Sequence, residues 1–215
     1  MSLRLRPVLA TAVVAVVALT GVVQAASAKP ARVCNLVTDP AGDANGTFLQ
    51  DGISGVPSED AVDIISADVA TDRKLLTTVV RVKKLAASSP TSPGGLHWKF
   101  FFDVGGTQIY TQAVASTGSA PTFAFGTIDA TSGTSKSLGS ADGVLDTAKN
   151  EVRVTVPLSA LPERPKPGSK INTLAPNAGR FLGNDNVGTF SDSTDSATSD
   201  KTYTVGALSC VVVGK

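Results

Sequence analysis

Polar and apolar positions alternate along much of this chain at the two-residue period of an extended strand, not at helical spacing. Leu96, Trp98, Phe100, Phe102 and Val104 form one apolar row, offset by His97, Lys99 and Asp103. Leu76, Thr78, Val80 and Val82 form a second, with Thr77, Arg81 and Lys83 on the other side. Val152, Val154, Val156 and Leu158 alternate with Glu151, Arg153 and Thr155. Each row predicts a strand with one face on a core. Shorter strands are expected over 64–70, 108–115, 122–128 and 203–213, and Gly105-Gly106 reads as a tight hairpin turn.

No segment carries an apolar row long enough to predict a helix, beyond a short helical turn after Pro157 through Ser159 and Leu161. Many short strands separated by Gly, Pro, Ser and Asp turns predict an all-β, antiparallel sandwich. Two loops stand out: Pro162–Pro167, and the Ser/Asp/Thr-rich segment 184–201, the more mobile of the two by composition. Asp192, Asp195 and Asp200 in that segment read as a solvated acidic run. His97, opposite Trp98 and Phe100, reads as a surface strand residue.

The N-terminus departs from this pattern. Arg4 and Arg6 precede an apolar run from Val8 to Val23, which closes on Ala26-Ser27-Ala28. That is the order of a secretory signal peptide, with cleavage expected after Ala28. The run is short for a bilayer span and is interrupted by Thr20 and Gly21. The chain therefore divides into a cleaved signal peptide, 1–28, and one domain, 29–215, secreted and without membrane insertion. The whole chain has 19 basic and 18 acidic residues. Loss of Arg4 and Arg6 tips the mature balance slightly acidic, which gives no electrostatic case for nucleic acid. Acidic residues are mostly Asp, with Glu only at 59, 151 and 163. That bias favours turns and metal loops over helices.

The chain has two cysteines, Cys34 and Cys210. In an oxidising compartment they are expected to form a disulfide that brings the first and last strands side by side. The densest candidate chemistry is Asp39-Pro40-Ala41-Gly42-Asp43-Ala44-Asn45-Gly46. Asp39, Asp43 and Asn45 at i, i+4 and i+6 in a glycine-containing turn can wrap a hard cation such as calcium, with backbone carbonyls completing the shell. Asp60 and Asp63, just before the next strand, can close the site from across the sheet. Turn capping selects the same residue type, so both roles stay open for Asp39 and Asp43.

Other chemistries are poorly provided for. One histidine and no spare cysteine exclude a zinc site of several His or Cys ligands. A Ser-His-Asp triad would have to use His97, and no G-x-S-x-G elbow is present. The strict alternation of Trp98, Phe100 and Phe102 makes that row core. Phe101 and Tyr110 fall outside it and are the better candidates for exposed ligand contacts.

Three stretches together carry a family resemblance: Asp39-Pro40-Ala41-Gly42-Asp43, Val62-Asp63-Ile64-Ile65-Ser66-Ala67-Asp68, and Gly143-Val144-Leu145-Asp146 leading through Asn150 to Val152–Leu161. The chain resembles the DOMON-like β-sandwiches related to family 9 carbohydrate-binding modules, found in secreted bacterial proteins. The resemblance implies a jelly-roll-like sandwich, calcium near the N-terminal turn and a binding role, not a catalytic one. Sugar-binding members clamp a ring between two tryptophans, whereas this chain has one. A lone His97, with Met1 lost with the signal peptide, leaves no His/Met pair for haem. The expected function is a secreted, non-enzymatic module with structural calcium that engages a polysaccharide or cell-envelope component. A protein-interaction or inhibitor-like domain presenting 184–201 to a protein partner is the alternative, and a small secreted hydrolase a third.

Overall fold

The apolar rows become the inner faces of two antiparallel sheets packed on one another. The computed structural model describes residues 31–44, 46–48, 53–56, 60–87, 94–182 and 191–214; the signal peptide expected over 1–28 lies outside the described residues. Ala31–Lys215 forms one unit. In chain order its strands are β1 (Val37–Thr38), β2 (Gly46–Phe48), β3 (Ile53–Val56), β4 (Ile64–Thr71) and β5 (Leu75–Val82). Next come β6 (Gly94–Val104), β7 (Thr107–Ser116), β8 (Thr122–Ile128), β9 (Ser135–Ser140), β10 (Asp142–Asp146) and β11 (Glu151–Pro157). A 3₁₀ turn, Leu158–Ala160, precedes β12 (Lys170–Leu182), β13 (Ser191–Ser196) and β14 (Tyr203–Thr204).

The smaller sheet runs β1-β4-β5-β11-β10, and the larger β13-β12-β6-β7-β8-β9 with β14 also paired to β12. Strands β2 and β3 form a separate pair. The β6–β7 hairpin turns on Gly105 and Gly106 at φ +60° and +87°, a conformation that suits glycine. Between the sheets lie Trp98, Phe100 and Phe102 with Ile64, Leu76, Val154, Val156 and Ile171, all essentially inaccessible. The Thr78 and Thr111 hydroxyls meet across the sandwich at 2.7 Å, and the Trp98 indole donates to the Ala61 carbonyl at 2.9 Å. These pairings satisfy polar atoms that would otherwise be costly inside the core.

Cys34 and Cys210 form the expected disulfide, with Cα atoms 5.3 Å apart. Val33 and Ser209 pair beside it in a parallel bridge. The expected strand 203–213 is, however, strand only over Tyr203–Thr204. Beyond it the C-terminal segment leaves the large sheet and straps the outer face of the small one. Val211 is buried on Ala70 and Val79, the Arg153 guanidinium donates to the Val212 carbonyl at 2.5 Å, and the Gly214 amide donates to Thr77 Oγ1 at 3.1 Å. Under and beside this strap runs an ion-pair chain. Arg81 reaches Asp68 at 2.7 Å and Glu151 at 2.8 Å, and Arg153 reaches Glu151 at 2.9 Å. Asp68 also accepts from the Leu36 amide at 2.9 Å. The strap and the ion pairs thus cover the outer face of the small sheet over β4 and β5, while Val144, Arg153 and Thr155 border a pocket of about 220 Å³ toward β10.

Candidate metal centre and ligand groove

The N-terminal turn is fixed from below by Asp63. This carboxylate is fully buried ahead of β4, and its two oxygens accept the Gly42 amide at 2.8 and 3.0 Å. Gly42 sits at φ +90°, the left-handed region that lets the turn close. The Asp39 amide donates to the Ile65 carbonyl at 3.0 Å, so both ends of the turn are tied to the start of β4.

This turn places Asp39 and Asp43 beside a carboxylate from the other sheet. One oxygen each from Asp39, Asp43 and Asp195 lies within 4.8 Å of the others, a three-Asp group that can hold a metal ion. Asp195 is on β13 and is buried; its Oδ2 accepts the Ile64 amide at 2.6 Å. The composition of 192–200 predicts a solvated acidic run, and Asp200 is indeed exposed. Asp195 differs because β13 pairs with β12 and carries it over the start of β4. The other half of the expected loop, 184–190, lies outside the described residues.

Burial, then the neighbouring Asp43 and Asp63 charges, raise the Asp39 pKa, against a hydrogen bond with Asp195 that lowers it. Burial pushes Asp195 up to about 6, with the charges of Asp39 and Asp43 adding to it and the Ile64 amide opposing. Asp39 Oδ2 is buried without a hydrogen-bond partner. Crowded carboxylates that resist ionisation are the donor set a hard divalent cation relieves. Of the other ligand candidates, Asp63 sets the turn, and Asp60 pairs with Lys83 at 2.8 Å. Asn45 lies outside the described residues.

The outer face of the large sheet is built differently. Phe101 and Tyr110 are cross-strand partners there, pointing away from the Trp98 row. Tyr110 pairs on its other side with Gly126, and its ring lies where a Gly126 side chain would stand. The ring is therefore flat against the sheet, with Ser137 hydrogen-bonded to the phenol. Phe101 is half-buried, but Tyr110 keeps only 6% of its surface and is buried, contrary to the exposed contact expected for it, because its ring folds onto Gly126. Together with Lys99, Gln108, Ile128 and Ser135 they line an open groove of about 370 Å³. That is within the range of small-ligand sites.

His97 lies farther along the same face but is buried, contrary to the surface position expected for it. The Phe181 ring from β12 stacks on it at 6.4 Å and 27°, and Phe181 itself lies over Gly95. A strand the alternation does not reveal thus covers the histidine. Compared with protein-family models, curated proteins and solved structures, the chain matches none.

Proposed function

We propose that this protein is an extracellular, non-catalytic binding module that takes a polysaccharide or cell-envelope glycan along the outer groove of its large sheet and is held together by structural calcium. The observation that carries this reading is the contrast between the two outer faces. The small-sheet face is largely covered by the C-terminal strap and its ion pairs, which leave a smaller pocket of about 220 Å³ without aromatic lining beside Val144 and Arg153. The large-sheet groove offers half-buried Phe101 beside Gln108, Ser135 and Lys99, with Tyr110 buried in its lining. A pyranose presents an apolar C–H face and a rim of hydroxyls. The half-buried Phe101 ring, flanked by the Gln108 amide and the Ser135 hydroxyl, offers the complement of both. The disulfide fits an oxidising compartment, and among the described residues no helix is long and apolar enough to cross a membrane.

The test is retention of the oxidised protein on insoluble polysaccharides and isolated cell walls. Selective retention is expected, with Phe101→Ala and Tyr110→Ala each weakening it about tenfold, as truncation of an aromatic anchor does. Retention unchanged in both variants would remove the groove from the binding surface.

Calcium, in this reading, bridges Asp39 and Asp43 of the N-terminal turn to Asp195 of β13. It performs no chemistry; it clasps one sheet to the other. At a hundredfold excess over its Kd, calcium is expected to add about 2.7 kcal/mol of stability. Asp195→Asn should abolish that gain while keeping an oxygen for the Ile64 amide. The same variant supplies a sign test in chelator. The Asp195 pKa is raised on folding, so its contribution is full below the unfolded value near 3.8 and is lost as pH rises through about 6. Without calcium, Asp195→Asn should therefore melt increasingly above wild type from pH 4 to 7; with calcium it should melt below. Identical melting curves in calcium and chelator would exclude the cation.

A further inference from the structure

Lys99 stands out in the groove. It projects from the middle of β6, between Gln112 of β7 and Asn177 of β12, and is half-buried on the outer face. It forms no ion pair among the described residues, unlike Arg81, Arg153, Lys83 and Lys149, which each hold a carboxylate. The acidic residues next along the strands that form the groove bond backbone amides and do not pair with Lys99. Asp103, further along β6, accepts the Gly106 amide at 3.1 Å. Asp129, after β8, accepts the Thr131 and Ser132 amides at 3.0 and 2.8 Å. His97, on the same face, is buried and cannot supply an anion.

We infer that the groove selects an acidic glycan, and that Lys99 is the residue that reads a sugar carboxylate while Phe101 takes the ring. This rests on the proposed glycan-binding reading of the same groove and adds the charge of its ligand. An ammonium partly withdrawn from water without a counter-charge costs stability, and a neutral side chain at this position would avoid the cost. A uronate carboxylate entering the groove supplies the missing charge and converts the cost into a charge-assisted hydrogen bond. Burial alone lowers the Lys99 pKa, with no carboxylate acting against it. Gln108 and Ser135 remain to bond the sugar hydroxyls.

The experiment titrates the oxidised protein, at fixed calcium, with tetragalacturonate and with the neutral tetragalactoside of the same linkage. The acidic oligomer is expected to bind at least about tenfold more tightly, the scale of one hydrogen bond to a charged group. The gap should close in Lys99→Met, persist in Lys99→Arg, and shrink at high salt. Lys99→Met should melt at or above wild type, which separates loss of binding from loss of fold. Equal binding of the two oligomers, untouched by Lys99→Met, would overturn the charge reading and leave the groove as a glycan site. The charge reading is overturned in the same way if neither oligomer binds while a neutral polysaccharide retains the protein. If no glycan of either kind binds, the groove reading falls and this inference with it.

Discussion

Reduction of the Cys34–Cys210 disulfide should lower the melting temperature by about 10 °C or more. The bond joins positions 176 residues apart, almost the whole described domain. For a loop that long the chain-entropy model gives about 5 kcal/mol of stabilisation. For domains of 150–250 residues each kcal/mol moves the midpoint by about 2–4 °C. The loss should also be visible locally. Val211 packs on Ala70 and Val79, and the Gly214 amide bonds Thr77, immediately beyond the disulfide. Reduction should therefore speed amide exchange at Val211 and Gly214 before the central strands β5 and β6 respond. A double Cys34→Ser/Cys210→Ser variant with an unchanged midpoint would mean that the strap and the Val33–Ser209 bridge hold the termini unaided.

Between pH 6.5 and about 4 the protein should lose up to about 3 kcal/mol of stability through His97 alone. Burial, with a smaller contribution from the Lys99 charge, depresses this imidazole to about 4, and a hydrogen bond with Asn177 only partly opposes them. The folded pKa lies below the unfolded value of 6.5, so the unfolded chain takes up the proton first. The contribution is complete above the unfolded pKa, falls as pH drops through that window, and ends near the folded pKa. Asn at this position keeps a polar group on the Asn177 side and has no proton to gain. Denaturant midpoints measured from pH 7 to 4 should fall more steeply for wild type than for His97→Asn. Parallel slopes would place His97 in contact with solvent.

The disulfide and His97 mark where the sequence is legible and where it is not. Cys34 and Cys210 need only an even count and an oxidising compartment. The β6 row is legible because every inward residue from Leu96 to Val104 is large and apolar, and two glycines at positive φ end it. The Asp39–Asp43 turn is legible by local spacing. His97 escapes local reading because its cover comes from β12, and Lys170–Leu182 hides its strand character. Pro176, Asn172, Asn177 and Gly179 break the alternation and lower strand propensity. Yet Pro176 pairs with Phe100, and a register shift between Asn172 and Ala175 absorbs the irregularity.

Asp195 is hidden for a related reason. Ser191–Ser196, all small or acidic, has loop composition, and becomes a strand by pairing with the outer edge of β12. Its contact with Ile64 spans 131 residues, and no local pattern announces a pairing at that distance. The expected sandwich survives these omissions because its core rows are locally encoded. The third carboxylate of the acidic group depends on tertiary placement, so local spacing yields Asp39 and Asp43 without it.

The central claim is that ligand occupies the Phe101–Tyr110 groove. It is tested most directly by amide chemical-shift mapping of the calcium-loaded protein during titration with an oligomer of a polysaccharide that retains it. Perturbations confined to Lys99–Phe101, Gln108–Tyr110, Ile128 and the Gly133–Ser135 turn are the predicted result. Perturbations gathered on the C-terminal strap or the outer face of the small sheet, with the groove silent, would contradict it.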